Sequence, residues 1–245
     1  MSIKRRIANF VERQLDVRIV RPWYLPLLFE EEHLSRFFRN FQIDCVFDVG
    51  ANAGQYADMI RDRCGFSGPI VSFEPIPVHA DALRKRALDR RDWFIESSVL
   101  NRKPGPVDFN ITSGDQLSSM NKPQTGDLYQ RESVVVQTLR LEATTLAVEF
   151  DKYKELLGFR RPFLKMDTQG SDLEVAAGAD DRLQQFVGLQ SELAFKPLYE
   201  NIPSADEALT FYRSKGFEIS AFLPNNSGNF PALIESDCVL YRVEA

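Results

Sequence analysis

Asp48-Val49-Gly50-Ala51-Asn52-Ala53-Gly54 follows directly on the apolar run Cys45-Val46-Phe47. An acidic residue closing a buried strand, with glycines two and six positions on, makes a turn where backbone approaches a ligand without side-chain interference. Such a turn suits a nucleotide-like cofactor. A second apolar run, Ile70-Val71-Ser72-Phe73, ends in Glu74, which puts a carboxylate where a second strand offers an acceptor to a ribose diol. Two acidic strand ends in succession point to an adenosine-bearing cofactor. His33 and His79 are the two histidines, in unrelated segments, and each reads as a lone surface-helix histidine. No carboxylate spacing demands a divalent metal, and none is expected.

These residues need a scaffold, and 245 residues suffice for one large core that hides about 70 to 75% of the extended surface. Thirty Lys+Arg against 35 Asp+Glu give a net charge of −5, which supplies no electrostatic footprint for nucleic acid. A small molecule is the expected partner. Cys45, Cys64 and Cys238 are odd in number and lack CxxC spacing, so buried free thiols and a reducing cytoplasm are expected. No segment approaches 18 consecutive apolar residues, so a soluble protein is expected. Ile3, Ile7, Phe10, Val11 and Leu15 recur at helical spacing beside Lys4, Arg5, Arg6, Arg13 and Arg18. This basic amphipathic helix would pack on the domain or a second subunit, or else touch a membrane surface.

Trp23 to Phe29, interrupted by Pro26, reads as a loop before a helix carrying Leu34, Phe37, Phe38 and Phe41 on one face. Residues 1–42 are thus expected to form an N-terminal helical cap and 43–245 a single α/β domain. Strand then alternates with helix: Cys45 to Val49, Gln55 to Cys64, Pro69 to Phe73, Val78 to Asp89, Trp93 to Leu100. The alternation predicts parallel strands with right-handed crossovers. Strands are also expected at 107–112 and 134–141, separated by a polar stretch, 113–133, that is a candidate lid. Phe163 to Asp167 and Val187 to Phe195 continue the sheet; Ser171 to Glu174 and Ser204 to Glu207 each read as a capping box. Phe217 to Leu223 and Cys238 to Val243 lack an intervening helix and should form an antiparallel hairpin. A seven-stranded, mostly parallel sheet ending in such a hairpin is the outline of the class I methyltransferases, a Rossmann-like fold.

The ordered stretches Phe47 to Tyr56, Ser72-Phe73-Glu74-Pro75, Ser118-Ser119-Met120, Thr138 to Leu141, Leu164 to Gly170 and Leu189 to Leu193 resemble the FkbM-type methyltransferases. Pro197 to Glu200 and Gly216-Phe217 extend the similarity, which covers roughly residues 40 to 245. The resemblance implies S-adenosylmethionine as cofactor and methylation of a hydroxyl, the expected acceptor being a sugar in a glycolipid, polysaccharide or secondary metabolite. It implies that Gly50, Asn52, Gly54 and Tyr56 surround the methionine portion, that Asp48 meets its amino group directly or through water, and that Glu74 accepts the ribose hydroxyls. Ser97 and Ser98 fall where the adenine lies, with Glu96 as acceptor for its exocyclic amine. Family members often carry a small residue such as Ala where Ser97-Ser98 stands.

Asp167, beside Gln169, would face methyl group and acceptor as general base or orienting group, a role worth about 10² to 10⁴-fold. Glu192, a charge in an apolar strand, is the alternative base. Asp167 could equally be a structural carboxylate, with Lys165 as its salt-bridge partner. Ser118, Ser119, Met120 and Gln169 are expected on the substrate or lid side. Two competing readings remain open: an NAD(P)-dependent oxidoreductase on the same sheet, which the missing GxGxxG spacing disfavours, and a non-catalytic cofactor-binding module using the N-terminal cap.

Overall fold

The computed structural model describes residues 14–15, 20, 24–124, 134–224 and 231–243. Most of the basic helix expected at 3–18, part of the polar stretch (125–133) and the tip of the last hairpin (225–230) lie outside the described residues.

Helix α1, Leu25–Asn40, opens the described chain. The loop expected around Pro26 is instead its first turn, because proline there forfeits an amide that has no helical partner anyway. Then follow β1 (Cys45–Val49), α2 (Gln55–Asp62), β2 (Ile70–Phe73), α3 (Pro77–Ala87) and β3 (Trp93–Glu96). The expected strand 93–100 is divided: Ser97 and Ser98 turn the chain into a separate two-residue strand, β4 (Val99–Leu100). β5 (Gly105–Thr112) and β6 (Val135–Thr144) precede α4 (Leu146–Leu157), a helix absent from the sequence reading. Its signals were present: the Thr145 hydroxyl accepts from the Val148 amide, and Gly158 ends it at φ 64°. β7 (Pro162–Met166), α5 (Asp172–Ala177), a 3₁₀ turn (Asp180–Gln185), β8 (Gly188–Ala194), α6 (Ala205–Ser214), β9 (Phe217–Pro224) and β10 (Glu235–Arg242) complete the order.

Seven strands form one sheet in the order β3-β2-β1-β7-β8-β10-β9. All neighbours are parallel except β10, which runs antiparallel to β8 and β9. The C-terminal hairpin is therefore as expected, with β10 inserted inside β9. A second sheet, β4-β6-β5, gathers the strands after β3 and packs Ile76, Val99, Phe109 and Ala143 together.

Alternation along β1 divides the core into two layers. Cys45, Phe47 and Val49 face α4, α5 and α6, where Phe47 lies 5.5 Å from both Phe159 and Phe186. Val46 faces the opposite layer of α1, α2 and α3, where Phe37 and Phe38 of α1 meet Phe163 edge-on at 5.4 and 5.2 Å. Truncating an aromatic this enclosed costs about 3–5 kcal/mol, so both helical layers are held firmly to the sheet.

Two helix starts differ in how they are capped. Ser204 forms the expected box, its hydroxyl accepting from the Glu207 amide while the Glu207 carboxylate accepts from the Ser204 amide. Ser171 makes no such bond. Its neighbour Asp172 ties the preceding turn to the sheet, accepting from the Thr168 amide and hydroxyl on one oxygen and from the Ser191 hydroxyl and Glu192 amide on the other.

Candidate active site

A cleft of about 1010 Å³ runs across the carboxyl ends of β2, β1, β7 and β8. Crevices at this edge are the usual ligand sites of open parallel sheets. At one end, Gly50 leaves β1 at φ 80°, and a Cβ there would lie 1.9 Å from the Asp167 carbonyl oxygen. Only glycine lets the first turn pass so close to the end of β7. Asn52, also left-handed at φ 45°, donates its amide to Glu74 Oε2 at 2.7 Å, while the Ile76 amide donates to Oε1 at 2.8 Å. Burial raises the Glu74 carboxyl above its ordinary value, against the pull of these two amides.

Lys165 occupies the middle. Its Nζ stands 3.3 Å from Asp48 Oδ1, 3.5 Å from Asp167 Oδ2 and donates to the Gly50 carbonyl at 3.2 Å. Burial alone would lower its pKa, but Asp167 and Asp48 outweigh it and keep the ammonium charged. The far end is acidic. Gln169 Nε2 bridges Asp167 Oδ1 at 2.9 Å and Glu192 Oε2 at 3.3 Å, and its own Oε1 accepts from the Tyr199 hydroxyl at 2.8 Å. Gln190 donates to Glu30 Oε1 at 2.9 Å and accepts from the Tyr56 hydroxyl at 3.3 Å. Glu235 and Asp237 of β10 complete this end, with Asp237 directly opposite Glu192 across the strands. Burial first, then repulsion from Asp167 and neighbouring carboxylates, pushes Glu192 and Asp237 well up and Glu235 to about 7.

Of the residues singled out in the sequence, Gly50, Asn52, Tyr56, Glu74, Ser98, Ser118, Met120, Asp167, Gln169 and Glu192 line the cleft. Five do not. Asp48 is fully buried one residue short of the strand end, accepting from Ser72 and pairing with Lys165, so it reaches the cleft through that lysine rather than directly. Gly54 is packed beneath Leu83 and Trp93. Glu96 is turned toward α4, where it is held by Lys152 and the Tyr153 hydroxyl, which lower its pKa despite burial. Ser97 is exposed outside the cleft. Ser119 is buried, its hydroxyl shared between the Gln169 and Thr168 carbonyls at 2.8 and 3.2 Å.

The described part of the candidate lid is hydrogen-bonded to the cleft wall. Besides Ser119, Asn121 donates to Ser171 Oγ at 2.9 Å, and the Gln124 amide donates to the Leu198 carbonyl. His79, read as a surface histidine, lines the cleft. His33 instead sits 2.9 Å from the Ser220 hydroxyl, its pKa lowered by burial and by Arg36. Sequence reasoning missed Glu30, Gln190, Glu235 and Asp237. The alternation Glu235, Asp237 before the apolar end of β10 was the signal available. Among the described residues no three His, Cys, Asp or Glu side chains are arranged to hold a metal ion.

The sheet order and the glycine turn facing an acidic second-strand end define a class I methyltransferase fold. A family model described as the methyltransferase FkbM domain matches residues 48–219. The chain belongs to that family. Its structure is similar to that of an FkbM methyltransferase from Methylobacillus flagellatus KT, at 13% identity and a TM-score of 0.50, covering 85% of this chain and 48% of that one. The chain therefore spans about half the length of that relative. Aeropyrum pernix fibrillarin with bound S-adenosyl-L-methionine matches at 16% identity and a TM-score of 0.43, over 80% of this chain and 66% of that one. Magnesium protoporphyrin IX methyltransferase from Synechocystis PCC 6803, also with bound S-adenosylmethionine, matches at 9% and 0.43, over 99% and 98%. No curated protein matches this chain.

Proposed function

We propose that this protein transfers a methyl group from S-adenosylmethionine to a hydroxyl, that of a sugar in a glycolipid, polysaccharide or secondary metabolite. One observation carries the reading: a single cleft joins the Gly50 turn and Glu74 at one end to Asp167 and Glu192 at the other. The residues present fit the donor. Gly50 leaves room for backbone approach, and Glu74 offers a carboxylate to a diol. Bound there, the donor supplies an electrophilic methyl carbon.

The chain's part is to align and deprotonate the acceptor, and alignment alone contributes about 7 to 11 kcal/mol. Glu192 is the better base of the two carboxylates, because burial and its acidic neighbours raise its affinity for a proton. Asp167, paired with Lys165, orients the acceptor hydroxyl. Gln169 holds the two carboxylates at a fixed separation.

Calorimetric titration with S-adenosylmethionine tests the donor half. Glu74→Ala is expected to weaken binding by about tenfold or more, the usual value of a hydrogen bond to a charged group; undiminished affinity would remove the ribose assignment. For the acceptor, mass spectrometry of glycolipids and glycans after gene deletion should show a species lighter by one methyl group. An unchanged profile would count against the sugar.

A further inference from the structure

The cleft is lined by six carboxylates, Glu30, Glu74, Asp167, Glu192, Glu235 and Asp237, against one Lys or Arg, Lys165. That lysine is committed to Asp48, Asp167 and the Gly50 carbonyl. Glu30 has Gln190, Asp167 and Glu192 share Gln169, and Glu74 has two backbone amides. Glu235 and Asp237 differ: among the described residues neither carboxylate has a hydrogen bond or salt bridge. Asp237 stands half-buried in the cleft wall, where desolvation and the carboxylates around it raise its proton affinity. Carboxylates crowded together without a direct partner are costly unless a cation or donor arrives to meet them. Lys165 acts on Asp237 only through space, without a salt bridge, its direct contacts being to Asp48, Asp167 and the Gly50 carbonyl.

The donor does not meet it either. Glu74 follows β2, whereas Glu235 and Asp237 lie on β10, four strand spacings away in the order β2-β1-β7-β8-β10. At 4.7–4.9 Å per strand that is about 19 Å, which sets these two carboxylates in the acceptor's half of the cleft. β10 brings them there because it runs antiparallel to β8, so its first residues lie beside the last residues of the parallel strands.

We infer that the acceptor carries a positively charged amine, which Glu235 and Asp237 hold while a neighbouring hydroxyl is presented to Asp167 and Glu192. The inference rests on the methyl-transfer reading above and adds the acceptor's charge. The raised proton affinity of both carboxylates has a consequence: an incoming ammonium displaces protons from them, so binding releases protons near neutral pH. A neutral polyol does not.

The test is calorimetry on the full chain saturated with S-adenosylhomocysteine, at pH 7 and low salt, in two buffers of different ionisation enthalpy. The probes are the fully deacetylated glucosamine trimer, its N-acetylated counterpart, and spermidine as an amine without a sugar scaffold. The deacetylated trimer is expected to bind about tenfold or more tightly than the acetylated one, as charge-assisted contacts dictate, with proton release. In the double variant Glu235→Gln, Asp237→Asn that preference and the proton release should vanish while S-adenosylhomocysteine affinity and the unfolding transition persist. Equal binding of both trimers, a preference surviving in the variant, or no binding by either amine overturns the inference and leaves methyl transfer standing. Failure of S-adenosylhomocysteine itself to bind strikes the methyl-transfer reading, and the inference falls with it.

Discussion

Glu192 and Asp167 are chemically alike and face the same space, yet their surroundings differ, and the proposed division of roles rests on that difference. Asp167 lies 3.5 Å from the Lys165 ammonium, and Glu192 is surrounded by burial and four other carboxylates that raise its pKa. Separation of this kind is how one site holds a base and an orienting carboxylate together. With the acceptor identified by mass spectrometry, Glu192→Gln is expected to lower kcat by about 10² to 10⁴-fold and to leave donor affinity unchanged. The wild-type rate should rise with pH along a limb above the usual carboxylate range, and that limb should disappear in the variant. A variant retaining both rate and limb would return the role to Asp167. Lys165 explains why Asp48, buried without solvent, is tolerated: the lysine joins it to Asp167 across β1 and β7.

Among the elements, β10 contributes most that is unexpected. Its reversed direction carries Glu235 and Asp237 to the rim formed by the carboxyl ends of β7 and β8. Helix α6 is held by local chemistry instead. Ser204→Ala removes a cap worth about 1 kcal/mol, and for a chain of this size that lowers Tm by roughly 2–4 °C. Thermal unfolding monitored by circular dichroism checks it, and an unshifted transition would mean that packing of Ala205, Ala208 and Tyr212 alone defines the helix. The capping box expected at Ser171 does not form: the Ser171 hydroxyl accepts from Asn121 instead, and Asp172, one residue on, ties the turn to the sheet through Thr168, Ser191 and Glu192. A local motif loses when a neighbour can bond across the sheet.

At the scale of the molecule, crowding carboxylates into one cleft ties stability to pH. Glu235 has its folded pKa raised from 4.5 to about 7, so the folded state binds the extra proton between those values. Its contribution is complete below pH 4.5 and is lost as pH rises through 7. Asp237 and Glu192 shift in the same direction. Glu235→Gln, which mimics the protonated form, should therefore raise Tm at pH 8 relative to wild type and leave it nearly unchanged at pH 4.5. A larger gain at the acidic end would contradict the assignment. No described helix is long and apolar enough to cross a membrane.

Much of this architecture was readable along the chain. The glycine turn, the acidic end of β2, the alternation through α3, the terminal hairpin and the family all follow from neighbours a few residues apart, since strand period, helix period and turn chemistry are local. Asp167 and Glu192 were each readable as carboxylates on apolar strands, but their bridging through Gln169 was not. What required the tertiary structure was direction and depth: which face Glu96 takes on β3, how far Asp48 stops from the end of β1, and which residues of β10 arrive beside β8. Glu30, separated from Gln190 by 160 positions, and Asp237, opposite Glu192 across an antiparallel register, meet only when the sheet closes. Local sequence dictates the pieces because backbone preferences act over a few bonds; the charge of the cleft is decided by folding because Coulomb interactions act through space.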